Sequence, residues 1–355
     1  MADVPYLPNS LADAFKRERL QNLASPLKWL AWVALAFGIF SAILLAYGKD
    51  PVQAYSDIFN NTLASSYGMS EVITKMIPLV IMAVAVALPA RLGLVNVGGE
   101  GQLYMGGLFA SWGALTFTHL PAWLLLPFMG LLGFAGGALW AAIPAFLRAK
   151  GWLLEVFSTL VLNYVAILAI EVIVFGPWRD PSSANYPQSA QFVGAGWLPT
   201  FAGTRIHLGI VIAVVAVTLF YFVLKRTRWG LEIRAIGGNP EAARRNGIPI
   251  GWYIVLVLAV AGGLAGLAGM AEASAIYHRL SPGLSSGYGF VGFLVSWLAG
   301  HRPWAIIAVA FLMAVLITGG DILQISQGLP YAAVNVLMAL ILLVVLAGRT
   351  VRVAR

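Results

Sequence analysis

Cysteine is absent from this 355-residue chain, which excludes disulfides and thiolate metal sites. Charge is scarce: 10% of residues are Asp, Glu, Lys or Arg, where a soluble protein of this length carries roughly a quarter. Histidine occurs only four times, at positions 119, 207, 278 and 301. No Gly-x-x-x-x-Gly-Lys-Ser/Thr loop occurs, so the chain carries no phosphate-binding ATPase signature of its own. The N-terminus lacks a short basic patch before an apolar core and does not read as a signal peptide. Its polar, mixed-charge stretch Met1–Pro26 has Ser10 and Asp13 at helix-cap spacing, so a short cytoplasmic helix is expected there.

What is abundant is apolar surface. Hydrophobic residues make up 60% of the chain, and the mean hydropathy is +0.85. That composition belongs to an all-α polytopic membrane protein. The formal charge is +8, from 22 Lys and Arg against 14 Asp and Glu. These charges lie in loops between apolar runs, so membrane lipid rather than nucleic acid is the expected partner.

A spanning helix needs about 20 mostly apolar residues. Ten such runs are found, at 27–47, 71–91, 97–118, 122–147, 153–176, 207–225, 252–272, 286–300, 303–320 and 330–348. Basic residues concentrate on the cytoplasmic side of membrane proteins. Here they cluster at Lys16–Lys28, at Arg148 and Lys150, between Lys225 and Arg245, and at Arg349–Arg355. With ten spans all four clusters fall on one side, and both termini are cytoplasmic; Lys75 and Arg279 are mild exceptions. The expected organisation is a cytoplasmic segment 1–26, a transmembrane domain 27–348 with a cytoplasmic loop at about 226–250, and a cytoplasmic tail 349–355.

That loop holds a polar island. Asn239 suits an N-cap and Pro240 the first helical position. Glu241 complements the positive end of the helix, and Arg244 and Arg245 the negative end. Gly247 suits the left-handed residue that ends a helix. A helix over Pro240–Asn246 is too short to stand alone in water. It docks either on its own membrane domain or in a groove of a separate protein, with small Ala242 and Ala243 permitting close approach.

Two stretches are candidates for the solute pathway. The Gly-rich break Asn96–Gln102 places Asn96, Glu100 and Gln102 at the start of the third run, either as a pore-lining helix start or gate, or as a tight turn capped by Glu100. In the fifth run Glu155, Ser158, Thr159 and Asn163 share one helix face, as pathway lining or as inter-helix hydrogen bonding. Glu155 lies nearer the cytoplasmic end, as a cap or a partner for Lys150. Glu171, Glu272 and Asn335 are lesser candidates. Among in-span aromatics, Trp112, Trp140, Phe293 and Trp297 are those placed to reach a central cavity, although packing or lipid contact is the commoner role for each. The Gly-rich stretches Gly98–Gly107 and Gly283–Gly292 each lead into a short apolar run, a faint suggestion of an internal repeat.

Four segments carry a resemblance: "GLVNVGGEGQLYMGGLFA" (Gly93–Ala110), "LEVFSTLVLNY" (Leu154–Tyr164), "IRAIGGNPEAARRNGI" (Ile233–Ile248) and "GYGFVGFLVSWLAGHRP" (Gly287–Pro303). Together they resemble bacterial ABC importer permeases of the branch serving simple sugars, nucleosides and branched-chain amino acids, the nucleoside permeases most of all. The resemblance covers residues 70 to 348. Leu154 stands where the family often has Asn, and Phe293, Ser296 and Trp297 stand among usually small, aliphatic positions.

The resemblance implies a transport subunit of a bacterial inner membrane with no ATPase site and no cofactor of its own. It implies an ABC ATPase subunit that consumes the ATP, a second permease, identical or related, and an extracytoplasmic substrate-binding protein. It makes Asn239–Arg245 and Gly247 the coupling helix that enters a cleft of the ATPase. Asn96, Glu100, Gln102, Thr159, Asn163 and Trp297 become pathway or gate residues. A simple-sugar permease is the near alternative. A stand-alone secondary transporter calls for an embedded acid or His set, and the four His lie at span ends. A membrane enzyme calls for His–carboxylate clusters, which the sequence does not offer.

Overall fold

The structure is a computed structural model that describes residues 34–183 and 186–330, with positions 332, 335, 336, 339 and 340. The expected helix after Ser10, the C-terminal tail and most of the tenth run lie outside these residues. The described chain is all-helical: α1 (Ala34–Ala46), α2 (Pro51–Thr62), α3 (Ser66–Ala90), α4 (Gly99–Thr116), α5 (Ala122–Ala149), α6 (Glu155–Phe175), α7 (Gly209–Arg226), α8 (Arg228–Gly238), α9 (Pro240–Arg245), α10 (Ile250–Glu272), α11 (Tyr288–Leu298) and α12 (Pro303–Gln327).

Among the described residues six helices are long and apolar enough to cross a membrane: α3, α5, α6, α7, α10 with its extension to Tyr277, and α12; α1 with α2 would make a seventh if that bent pair is one span. The expectation of about ten therefore exceeds what length and composition establish. The reasons are local. Gly, Glu and Gln at the start of α4 dilute its apolarity. The run expected at 286–300 yields a helix of 11 residues, about 16 Å long. Of the first run only the part from residue 34 is described, as α1; the chain then turns at Gly48, in the left-handed region at φ +71°, and α2 leaves at 114° to α1.

The chain divides into two compact units. In the first, which includes residues 34–58 and 320–330, the Tyr55 hydroxyl donates to the Phe37 carbonyl at 2.8 Å, and the two rings meet edge-on at 5.5 Å. Asp57 accepts from the Gln327 amide at 2.8 Å.

The second unit, residues 59–319, carries the rest. The most apolar window of α3 is 83% buried, against 28% in α5 and in α6. So α3 is interior, while Leu131, Leu139 and Phe146 of α5 and Leu168, Val172 and Phe175 of α6 are exposed apolar surface of the kind that lipid or another apolar helix covers. The interior is closed by glycine. A Cβ on Gly106 of α4 would lie 2.1 Å from the Cα of Gly266 in α10. One on Gly137 of α5 would lie 2.1 Å from the Gly262 carbonyl oxygen of α10. Helix axes come this close only through such small-residue stripes, which let dispersion act between backbones where the hydrophobic effect is absent. Gly133 and Gly137, like Gly262 and Gly266, repeat at the four-residue step that keeps one face bare.

The described residues of the long connection 177–208 pack against the end of α10. There the helix widens to a π-turn over Ala273–Tyr277 and stops at His278, φ +53°. Ser189 N donates to the Leu280 carbonyl at 2.9 Å, and Ser274 Oγ donates to the Gly196 carbonyl at 2.6 Å. Trp197 stacks on His278 at 4.2 Å. Arg205 pairs with Glu71 at 2.7 Å, tying the same connection to α3. Glu272 is buried beside this face with Lys75 as its charged neighbour.

At the opposite end the basic loops meet. Arg91 donates to the His301 carbonyl, Arg234 donates to the Leu224 carbonyl, and Gly237 of α8 packs against the Arg91 carbonyl. Of the four basic clusters in the sequence these contacts place the one between Lys225 and Arg245; Lys16–Lys28 and Arg349–Arg355 lie outside the described residues.

Candidate functional site

The Gly-rich break and the fifth run fold into one knot. Within the turn before α4, Asn96 is fully buried and its Oδ1 accepts from Gly98 N at 3.1 Å. Asn96 and Gln102 exchange two side-chain hydrogen bonds at 3.0 Å. On α6 the buried positions Glu155, Ser158, Thr159, Asn163, Ala166, Ile170 and Val174 form a stripe facing inward. Asn163 bridges this stripe to the turn: its Oδ1 accepts from Gly101 N at 2.8 Å and its Nδ2 donates to the Val97 carbonyl at 2.9 Å. Gly101 has to be glycine, because a Cβ there would lie 2.9 Å from the Cα of Asn163. Thr159 spends its hydroxyl on its own helix, donating to the Glu155 carbonyl at 2.6 Å.

Glu155 neither caps α6 nor pairs with Lys150. Its Oε1 accepts from Val95 N at 3.1 Å, and its Oε2 lies 2.9 Å from Arg148 Nε, an ion pair that clamps the end of α5 to the turn. Lys150 lies over the Phe146 ring instead. The buried Glu100 reaches out of α4, its Oε2 accepting from Gly289 N of α11 at 2.7 Å. A Cβ on Gly289 would lie 2.3 Å from Glu100 N, so the starts of α4 and α11 touch backbone to backbone. The two Gly-rich stretches noted in the sequence are therefore partners in space.

Five of the predicted pathway or gate residues, Asn96, Glu100, Gln102, Thr159 and Asn163, thus meet in one buried joint between α4, α6 and α11. Trp297 stands apart on α11. It is 41% exposed, with its ring 5.9 Å from Phe293 and 5.1 Å from His301. Trp140 donates to the Leu162 carbonyl at 3.3 Å, and Trp112 packs on Phe117. Asn335 is helical and exposed.

The island between α7 and α10 holds two helices. Sequence reading placed one at Pro240 and missed α8, although Thr227 and Gly238 mark its ends. Thr227 caps it by accepting from Gly230 N at 3.1 Å. Glu232 of α8 is bonded by Tyr253 of α10 and by Arg228 at 2.7 Å. These hydrogen bonds, Tyr253's first, hold its carboxyl below the usual range. The helix α9 runs over Pro240–Arg245, one residue shorter than predicted. Asn239 accepts from Ala242 N at 3.0 Å, and Gly247 takes φ +78° at the far end. Ala243 is buried, so one side of α9 rests on the unit itself. The other side is open: Glu241 lies 3.6 Å from Arg244 and 3.4 Å from Arg245, and all three side chains are more than half exposed. Such surface pairs contribute little stability, so the two arginines remain available to an acidic partner.

A bundle that buries α3 and α4, leaves apolar faces of α5 and α6 exposed and carries a short capped helix between α8 and α10 has the make-up of an integral-membrane protein. The chain belongs to the family of branched-chain amino acid transport system permease components, whose model it matches over residues 68–346. It is an ABC transporter permease of the sugar and nucleoside branch. It is 36% identical to the glucose ABC transporter permease protein TsgB13 of Haloferax volcanii, covering 89% of this chain and 87% of that one. It is 30% identical to the nucleoside permease NupB of Lactococcus lactis, covering 87% and 88%. It is 29% identical to the guanosine permease NupP of Bacillus subtilis, covering 94% and 96%. Among solved structures, PsaBC from Streptococcus pneumoniae in complex with Fab shares the fold at 10% identity, with a TM-score of 0.51 over 82% of this chain and 95% of that one.

Proposed function

We propose that the chain is the translocating subunit of an ATP-driven importer for nucleosides. In this reading it makes about ten membrane passages, counting α4, α11 and the run 330–348, and has both termini cytoplasmic in a bacterial inner membrane. Two of the three relatives named above carry nucleoside or guanosine in their names. The observation that carries the coupling is α9, whose capped, exposed face is formed by Glu241, Arg244 and Arg245.

A separate ATPase closes on ATP, and its cleft takes Asn239–Arg245 and Gly247. The permease itself holds no ATPase site and no cofactor. The Asn239 cap and the α8 contacts make α9 a stiff peg, so closure pushes on the unit instead of bending a loop. The joint of Asn96, Glu100, Gln102, Thr159 and Asn163 forms the fixed wall of the pathway or gate, with Trp297 on the adjoining α11 face. A second permease completes the pathway, and an extracytoplasmic binding protein delivers the solute. The Haloferax relative favours a second reading, glucose.

Uptake of labelled guanosine and glucose by cells carrying the whole transporter tests this, comparing wild type with Glu241→Pro. Guanosine uptake that needs ATP and is lost in the variant is the expected result. Uptake of glucose alone moves the assignment to the second reading. Uptake that survives ATP depletion and collapses with a protonophore overturns the importer reading in favour of a secondary transporter.

A further inference from the structure

Between α3, α7 and the start of α12 runs an open apolar groove of about 370 Å³, lined among others by Ile77, Val80, Val214, Val217, Thr218 and Ile307. Tyr221 and Pro303 at its end also line a second hollow of about 140 Å³, whose other walls are Arg91, Leu224, Lys225 and Arg234. The two form one continuous slot, apolar along the span and cationic at the basic face. Tyr221 and Trp304 stand at the junction with their rings 6.5 Å apart, the level at which amphipathic aromatics sit in a bilayer.

The cationic end is unbalanced. Among the described residues no carboxylate pairs with Arg91, Lys225 or Arg234; the nearby Glu232 is taken by Arg228 and Tyr253. Arg302 adds a fourth positive charge facing Arg91, and burial together with Arg302 and Arg234 pulls the Arg91 guanidinium below its ordinary pKa. Arg91 Nε is buried without a hydrogen-bond partner among the described residues. Among the described residues Lys225 meets the Tyr221 ring, at 5.0 Å. Like charges gathered at a rim, with Arg91 half-buried and Lys225, Arg234 and Arg302 exposed, call for an anion, and the apolar slot leading from that rim calls for a chain attached to it.

We propose that this slot is a specific site for an anionic phospholipid, with its phosphate at Arg91, Lys225 and Arg234 and an acyl chain along Val80, Val214 and Val217. A basic pocket between spanning helices on the cytoplasmic side recognises lipid headgroups by this combination. The site touches α3, whose end leads into the turn of the buried joint, and α8, which carries α9. The lipid therefore braces the parts of the unit that the coupling helix drives.

Native mass spectrometry of the full chain in mild detergent tests this with phosphatidylglycerol and phosphatidylcholine of identical acyl chains. Phosphatidylglycerol is expected to be retained several-fold more strongly by wild type. Lys225→Gln, an exposed change, is expected to lower that retention about fivefold and to leave phosphatidylcholine unaffected. Thr218→Trp, which fills the slot from an exposed position, is expected to lower both. Equal retention of the two lipids by wild type overturns the proposal without reference to any variant. So does undiminished binding in both variants. Displacement by millimolar inorganic phosphate makes the rim a free-anion site, and a wild-type dimer lost in Thr218→Trp makes the slot a contact between copies; either outcome overturns the lipid reading.

Discussion

Replacing Asn163 with leucine tests whether the buried joint is held by the asparagine side chain or only by the glycine contacts around it. The heavy-atom count is unchanged, but two hydrogen bonds disappear, from Gly101 N at 2.8 Å and to the Val97 carbonyl at 2.9 Å. Hydrogen bonds between membrane helices contribute about 0.6 kcal/mol each, which sets a floor near 1.2 kcal/mol for the pair. A buried backbone group left unsatisfied costs about 1–3 kcal/mol, which sets a ceiling near 6 kcal/mol. The turn has little freedom to find other partners, because Gly98 and Gly101 already sit against α6, so a loss of about 2–4 kcal/mol is expected. Thr159→Val serves as the control. That hydroxyl donates to its own helix, and its loss is expected to cost under about 1 kcal/mol. Unfolding in mixed micelles by increasing SDS, followed by the fluorescence of the 12 tryptophans, reads both. Equal SDS midpoints for Asn163→Leu, Thr159→Val and wild type would refute the reasoning.

Other perturbations follow from the same contacts. Asn239→Ala removes the cap on α9 and is expected to cost about 1 kcal/mol locally, seen as weaker co-purification of the ATPase with unchanged stability of the membrane unit. Glu155→Ala strands Val95 N and frees Arg148; with Arg148 partly exposed, a loss of about 2 kcal/mol is expected in the same SDS titration. Gly266→Val drives its Cβ into the Gly133 carbonyl and is expected to leave no folded protein, where Gly38→Ala, with open space around it, is tolerated. His207 lies just outside α7, and burial holds its pKa at about 4, below the ordinary 6.5. The neutral ring is the folded form, so its contribution is complete above pH 6.5 and is lost as pH falls towards 4. About 2 kcal/mol should be gone by pH 5, as a drop in melting temperature between pH 7 and 5 that His207→Gln removes.

Residue chemistry announced some of this and geometry supplied the rest. The ends of α9 were legible because capping is local: Asn239, Pro240 and Gly247 each act within a few residues. The inward face of α6 was legible because helical periodicity is local too. What Asn163 and Glu100 touch was not, since their partners lie 62 and 189 residues away along the chain. The pairing of Glu155 with Arg148 rather than Lys150 depends on where the turn before α6 points, which neither charge nor spacing reveals. Counting spans by apolarity overstated what the described helices establish, because α4 and α11 are stabilised by protein around them and need not be long or oily. The glycines of α5 and α10 were visible as letters, yet only the fold says which of them meet.

Those glycines limit how the unit can move. Where two helices touch through side chains, rotamer changes let them slide or roll. Where Gly106 meets Gly266 and Gly137 meets Gly262 there is nothing to rearrange. The trio α4, α5 and α10 should therefore behave as a chassis, rigid through the transport cycle, with displacement confined to elements seated on it by side chains. In a chain without native cysteine, spin labels placed on α5 and α10 would supply a fixed ruler against which the travel of every other helix is measured.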